Sequence, residues 1–217
     1  MPFTHIENAI AAVGRGEIVV VVDDEDRENE GDLIMAADRI TPETMGFMVR
    51  HTSGVICMPM MGERLDELQI PLMVSNNTES QRTAFTVSCD ARAGTTTGIS
   101  AADRATTVRT LIDPASRADD VVRPGHIFPL RYREGGVLKR AGHTEASVDL
   151  ARMAGLAPAG VLAELVNDDG TMARLPQLEI FAAEHGLQLI TIADLIRFRR
   201  HREKLVRRVS EARIPTK

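Results

Sequence analysis

The chain contains no tryptophan and a single tyrosine, Tyr132, and aromatic residues make up only 3% of its 217 positions. That scarcity removes the stacking platforms that hold single-stranded nucleic acids. A net charge of −5 removes a global electrostatic case for any nucleic acid. The two cysteines, Cys57 and Cys89, lie far apart and match no metal-ligand spacing. No apolar run approaches the roughly 18 residues that span a bilayer. Met1 to Glu7 lacks both the basic and the apolar segment of a secretion signal. The expectation is a cytoplasmic protein with reduced thiols, bound to neither nucleic acid nor membrane. What is present is ordinary: 43% hydrophobic and 26% charged residues, enough for one domain with an aliphatic core. Ten methionines are available to fill irregular gaps in that core.

One stretch stands out. Ile18-Val19-Val20-Val21-Val22 reads as a buried strand. It runs directly into Asp23-Asp24-Glu25-Asp26-Arg27-Glu28-Asn29-Glu30-Gly31-Asp32, which holds seven carboxylates and one arginine. Charges this dense repel, so either the loop is solvated or something cationic gathers it. Gly31 allows a close turn, and Asp32-Leu33-Ile34-Met35-Ala36 returns to apolar sequence. The loop is thus pinned between two strands, a setting typical of sites.

Along the rest of the chain, helix and strand patterns interleave. Ile6, Ala9, Ile10 and Val13 mark a helix, and Pro42 opens a second. Val55–Met60 reads as a strand, 62–69 as a short helix, 76–83 as a mobile loop able to cover a site, and 84–88 as a strand. Ser100 and Asp103 form a capping-box-like start to a helix over 101–112. Arg123-Pro124-Gly125-His126 reads as a turn before a strand at 127–130. A helix follows from Glu145 to Met153, then a strand at 161–166, a helix at 176–185, a strand at 187–192 and a basic helix to about Val209. The short 18–22 and 32–36 segments read as antiparallel neighbours. The predicted fold class is therefore α+β: a single domain with a mixed β-sheet flanked by helices on both faces, three layers α/β/α.

Arg140-Ala141-Gly142-His143-Thr144 is the second informative stretch. Thr144 can cap the helix that follows, whose free N–H groups and positive dipole end, with Arg140 beside them, suit a phosphate. The bland alternative is a plain cap with a surface arginine. Glu164 lies inside an apolar strand and either faces solvent or, facing inward, becomes a candidate acid or base. His126 is similarly open to both readings. Carboxylates with one histidine favour Mg²⁺ or Mn²⁺ over zinc. The residues alone point to metal-assisted chemistry on a phosphorylated small molecule.

Four motifs in order, Asp24–Asp32, Gly98-Ile99-Ser100-Ala101-Ala102-Asp103-Arg104, Arg123–His126 and Arg140–Glu145, resemble the 3,4-dihydroxy-2-butanone 4-phosphate synthases of riboflavin biosynthesis. The resemblance runs from about residue 5 to 208. It implies conversion of D-ribulose 5-phosphate to L-3,4-dihydroxy-2-butanone 4-phosphate and formate. It also implies Mg²⁺ (or Mn²⁺), one or two ions per site, and a homodimer with sites near the interface. By position, Glu28 and His143 are the implied metal ligands. Arg27, Glu28, Asp32, Arg140, Ala141, Gly142, His143, Thr144 and Glu164 are the implied substrate contacts. His126 and Glu164 resemble the family's acid–base residues, and Asp32 is added as a catalytic candidate. Residues 1–209 would form the synthase domain. Residues 210–217 resemble a linker to a GTP cyclohydrolase II domain, whose zinc site Cys57 and Cys89 could not supply. Two other classes compete. A nucleotide- or RNA-binding module would want a basic concave surface, and a degenerate regulatory copy would have lost Glu28, Asp32, His126, His143 or Glu164.

Overall fold

The computed structural model describes residues 6–203. The run Val19–Val22 forms strand β1 and is buried on both faces, as a strand between two helical layers must be. Strand β2 (Gly31–Ala36) returns antiparallel to it, with Val22 opposite Gly31 and Val19 opposite Ile34. Strand β6 (Gly160–Glu164) pairs antiparallel with the other side of β2, and β3 (Cys57–Met60) follows it. Strand β5 (Val121–Arg131) lies parallel to β3 and carries β4 (Cys89–Ala91) at the edge. At the opposite edge β7 (Gln188–Thr191) lies parallel to β1. The order β4-β5-β3-β6-β2-β1-β7 makes one mixed sheet of seven strands.

Helices α1 (Ile6–Arg15), α5 (His143–Met153) and α7 (Ile192–Arg202) cover one face. Helices α2 (Pro42–His51), α3 (Gly62–Glu67), α4 (Ala101–Ile112) and α6 (Leu175–His185) cover the other. Alternation along β1 shows the layering: Val19 and Val21 pack toward α1, α5 and α7, while Val20 and Val22 pack toward α2, α4 and α6. The α+β, three-layer expectation is met.

Several local expectations are corrected. Residues 84–88 form no strand, because their N–H groups are shared between two sides: Thr86 donates to Pro129 and Val87 to Pro71. Only isolated bridges result, Phe85 to Leu130 and Thr86 to Leu72. Arg123–His126 is not a turn but part of β5. Its glycine serves close strand approach, since a Cβ on Gly125 would meet the Cys89 carbonyl carbon at 2.1 Å. Helix α5 begins at His143 with Gly142 as its cap, so Thr144 lies inside the first turn and caps nothing. Ser100 does accept the Asp103 N–H at 3.0 Å, yet the Asp103 carboxylate turns back to Thr96 and Gly98 instead of closing a reciprocal box. Helix α7 ends at Arg202. The remainder of the expected basic helix, and the 209/210 boundary with its tail, lie outside the described residues.

Candidate functional site

The acidic loop is ordered by its first residue. The Asp23 side chain is 1% exposed. Its Oδ2 accepts Arg27 Nη1–H at 2.7 Å and the Glu28 N–H at 3.2 Å, and its Oδ1 accepts the Glu30 N–H at 2.9 Å. Arg27 also donates to Glu28 Oε2 at 2.5 Å. From outside, Arg174 at the N-terminus of α6 donates to the Glu28 carbonyl at 2.9 Å and to the Asn29 carbonyl. Two arginines and one buried carboxylate thus hold a loop whose own charges would push it apart. At its end Gly31 packs against α6, where a Cβ would meet Leu178 Cδ1 at 2.4 Å.

The next residue begins the chemistry. Asp32 on β2 stands directly opposite Glu164 on β6, so two carboxylates share one face of the sheet. His143, at the start of α5, faces them from above. Its Nε2 lies 3.1 Å from the Val21 carbonyl, which takes the N–H there and turns Nδ1 inward. Nδ1 is 3.8 Å from Glu28 Oε2 and 3.8 Å from Asp32 Oδ1. Burial pushes the Asp32 carboxyl up to about 7, with His143 opposing and Glu164, Glu28 and Glu30 adding to the rise. Burial alone would lower the His143 value, but Asp32 and Glu28 override it and carry the ring up to about 9. Glu28 is held below its usual range, chiefly by the facing His143.

This cluster has the donors a hard cation needs. Asp23, Glu28 and His143 bring ligand atoms within 4.8 Å of one another. Asp23 already serves three donors, whereas Glu28 and His143 present free faces. Asp32 Oδ1 is buried with no hydrogen-bond partner, an acceptor left for a cation or a proton. A histidine whose other nitrogen is tied to a backbone carbonyl is the usual form of a metal ligand. Oxygen-rich donors with one imidazole suit Mg²⁺ or Mn²⁺.

Opposite the acids lies the 140–144 turn. The Gly142 N–H donates back to the Arg140 carbonyl at 2.9 Å, and a Cβ on Gly142 would meet Arg140 Nη1 at 2.4 Å. Glycine therefore lets the arginine fold over the helix start. Arg140 donates to the buried Glu145 at 2.7 Å and to Thr83 Oγ1 at 2.8 Å. The 79–83 segment in turn winds around Glu79, whose carboxylate accepts the Gln81 and Thr83 N–H groups at 2.7 and 2.9 Å. The predicted site-covering loop thus does border the site.

One cavity of about 160 Å³ collects Arg27, Glu28, Asp32, Arg140, His143, Thr144 and Glu164. Ala141 and Gly142 do not line it. A larger cavity, about 550 Å³, lies by α2 and α6 near His51 and Phe181. It contains none of these groups, so chemistry and not size identifies the site. His126 is the exception among the expected catalytic residues. It sits on β5 with its ring against Asp90, Nδ1 to Oδ2 at 2.7 Å, and does not line the cavity. Sequence reasoning missed the roles of Asp23, Glu79, Thr83 and Arg174, and the presence of Cys57 in the cavity wall. None of these carried a signal of its own: Asp23 comes directly after the buried strand, but nothing sets it apart from the carboxylates beside it.

Residues 7–198 match the family model described as 3,4-dihydroxy-2-butanone 4-phosphate synthase. The chain is 64% identical over 198 residues to the 3,4-dihydroxy-2-butanone 4-phosphate synthase of Agrobacterium fabrum, covering 91% of this chain and 93% of that protein. It is 62% identical over 216 residues to the bifunctional riboflavin biosynthesis protein RIBA 1 of Arabidopsis thaliana, covering 99% of this chain and 40% of that one. The chain spans 52% of the riboflavin biosynthesis protein RibBA of Nocardia farcinica, so it is about half the length of several curated relatives. A solved 3,4-dihydroxy-2-butanone 4-phosphate synthase in complex with two magnesium ions superposes with a TM-score of 0.89 at 45% identity, covering 92% of this chain and 98% of that one. With sequence and fold in agreement over nearly the whole described chain, it belongs to the 3,4-dihydroxy-2-butanone 4-phosphate synthase family.

Proposed function

We propose that this chain converts D-ribulose 5-phosphate to L-3,4-dihydroxy-2-butanone 4-phosphate and formate. The observation that carries the reading is the facing of Asp32 and Glu164 across β2 and β6, beneath His143 and Glu28, in a cavity whose other wall holds Arg140 and the start of α5. Arg140, Thr144 and the N–H groups of the first turn of α5 would seat the phosphate, with Arg27 offsetting charge beside them. Glu28 and His143 would hold Mg²⁺ (or Mn²⁺), as one ion or two. When bound, the ion supplies Lewis-acid polarisation of the sugar oxygens.

The remaining work is proton transfer. Enolisation at C3, loss of the C1 hydroxyl, a skeletal shift and release of C4 as formate each move protons on different sides of the substrate. Groups of unlike acidity suit that sequence. Asp32, near neutrality, can take a proton from substrate and return it. Glu164, steadied by Ser53 Oγ–H at 2.8 Å, faces the same space. The third acid–base residue, His126, lies outside the cavity, and a homodimer would supply it from a second copy. Of the exposed large apolar side chains, Val55 flanks the Ser53–Glu164 contact and Ile99 flanks the segment beneath His126, and Leu72 to Val74 add three more. Exposed apolar side chains of this kind are what a second copy can cover. No helix among the described residues is long and apolar enough to cross a membrane, and both cysteines are free and buried, in keeping with a cytoplasmic setting.

A formate assay with ribulose 5-phosphate tests the reading. Formate should appear with Mg²⁺ and cease on adding EDTA. No formate from Mg²⁺-loaded protein returns the chain to a binding role.

A further inference from the structure

The segment Gly98–Arg104 has no place in the chemistry above, and the structure gives it one. Asp90 sits at the β4–β5 bulge. Its Oδ1 accepts the backbone N–H of His126 at 2.9 Å, and its Oδ2 meets the ring Nδ1 at 2.7 Å. Gly98, at φ +91°, lies directly behind this pair. A Cβ there would come within 2.0 Å of Asp90 Oδ2 and 2.7 Å of His126 Nδ1. Gly98 is itself held by Asp103, which accepts its N–H at 3.1 Å and the Thr96 hydroxyl at 2.8 Å. Arg104 is buried beside them. It donates to the Gly54 carbonyl at 3.1 Å, and the charge of Asp90 offsets part of its burial cost.

These contacts have one chemical consequence. A carboxylate oxygen can only accept, so Oδ2 requires the proton on His126 Nδ1. That choice leaves Nε2 unprotonated, on a ring that is 39% exposed.

We propose that Asp90, backed by Gly98 and Asp103, is a positioning residue that fixes the tautomer of His126 so that Nε2 takes and returns a proton during the reaction. The proposal rests on the reading of His126 as an acid–base residue. The ring nitrogen accepts the proton with its lone pair and releases it later in the same turnover, so no other reactant is consumed.

An Asp90→Asn substitution tests it in the full chain loaded with Mg²⁺. Because the side-chain oxygen must keep accepting the His126 N–H, an asparagine would turn its NH₂ toward Nδ1 and force the ring proton onto Nε2. Turnover should fall at least ~100-fold, the lower range for a lost acid–base group, with KM for ribulose 5-phosphate within about twofold and the melting temperature little changed. Ring ¹⁵N NMR should show His126 protonated on Nδ1 in the native protein and on Nε2 in the variant. Native protein protonated on Nε2 overturns the proposal whether or not the variant folds. Turnover within threefold of native in Asp90→Asn, beside an inactive His126→Gln, overturns the positioning role alone. Native turnover in His126→Gln removes the acid–base reading on which the proposal depends.

Discussion

At the scale of single residues, the site is a balance between carboxylates that repel and the positive groups set against them. Asp32 and His143 are both shifted upward, to about 7 and about 9, so the metal-free folded chain binds protons that the unfolded chain would release. Stability from such groups is fully present below the unfolded values and is lost as pH rises through the folded ones. Without metal, the melting temperature should therefore decline from about pH 4 to about pH 9 on account of these two groups. Saturating Mg²⁺, taking the place of those protons, should flatten the decline, so the gap between Mg²⁺ and EDTA melting curves should widen toward pH 9. Calorimetric scans across that range check it, with Asp32→Asn as the control that shrinks the slope. A gap that stays constant with pH would detach Asp32 and His143 from cation binding. Glu28 and Asp32 were legible because seven carboxylates after a buried strand are hard to explain otherwise. Asp23 was not, because nothing in a run of like charges says which member turns inward to hold the others.

At the scale of elements, the loop depends on α6. Arg174 and Leu178 are one helical turn apart. Arg174 binds the carbonyls of Glu28 and Asn29, and Leu178 fills the space that Gly31 leaves open. Removing the arginine should free the loop without unfolding the sheet. Charged-donor hydrogen bonds are worth about 1.5–3 kcal/mol when fully engaged. Arg174 is 43% exposed, so about 1 kcal/mol of loop order is the discounted expectation, near a fivefold effect. Arg174→Ala should raise the Mg²⁺ concentration for half-activation, and the Mn²⁺ dissociation constant read by electron paramagnetic resonance, by about that factor. Arg174→Lys keeps the charge but not the paired donation, and should fall between. Unchanged Mn²⁺ affinity in both variants would make the contact incidental. Elements with a strong period were legible from sequence: β1 with β2 from a β-branched run and a short return, and α2 and α4 from proline and serine at their starts. Those set by contacts far along the chain were not. Residues 84–88 alternate like a strand but divide their donors between Pro71 and Pro129. Arg123–His126 carries turn residues yet runs within β5, because its glycine admits the β4 backbone.

At the scale of the whole molecule, the question is where His126 acts. Strands β2 and β6 place Asp32 and Glu164 near the middle of the sheet, while His126 stands on β5 next to the edge strand and outside the cavity. If a twofold dimer brings His126 of one copy to the cavity of the other, each site draws on two chains. Two inactive variants then become complementary. A His126→Gln chain keeps an intact Glu164, and a Glu164→Gln chain keeps an intact His126. In a hybrid dimer one site collects both substitutions and the other collects neither. Random mixing makes half of the dimers hybrids, each with one intact site of two, so activity should recover to about a quarter of native by symmetry. If instead His126 and Glu164 serve the same site within one chain, every site in the hybrid carries one substitution and nothing recovers. Differently tagged chains, refolded together and purified through both tags, isolate the hybrid and should show about half of native turnover. An inactive purified hybrid would place the whole reaction within a single chain and leave the apolar surface at Val55, Leu72 to Val74 and Ile99 to some other contact.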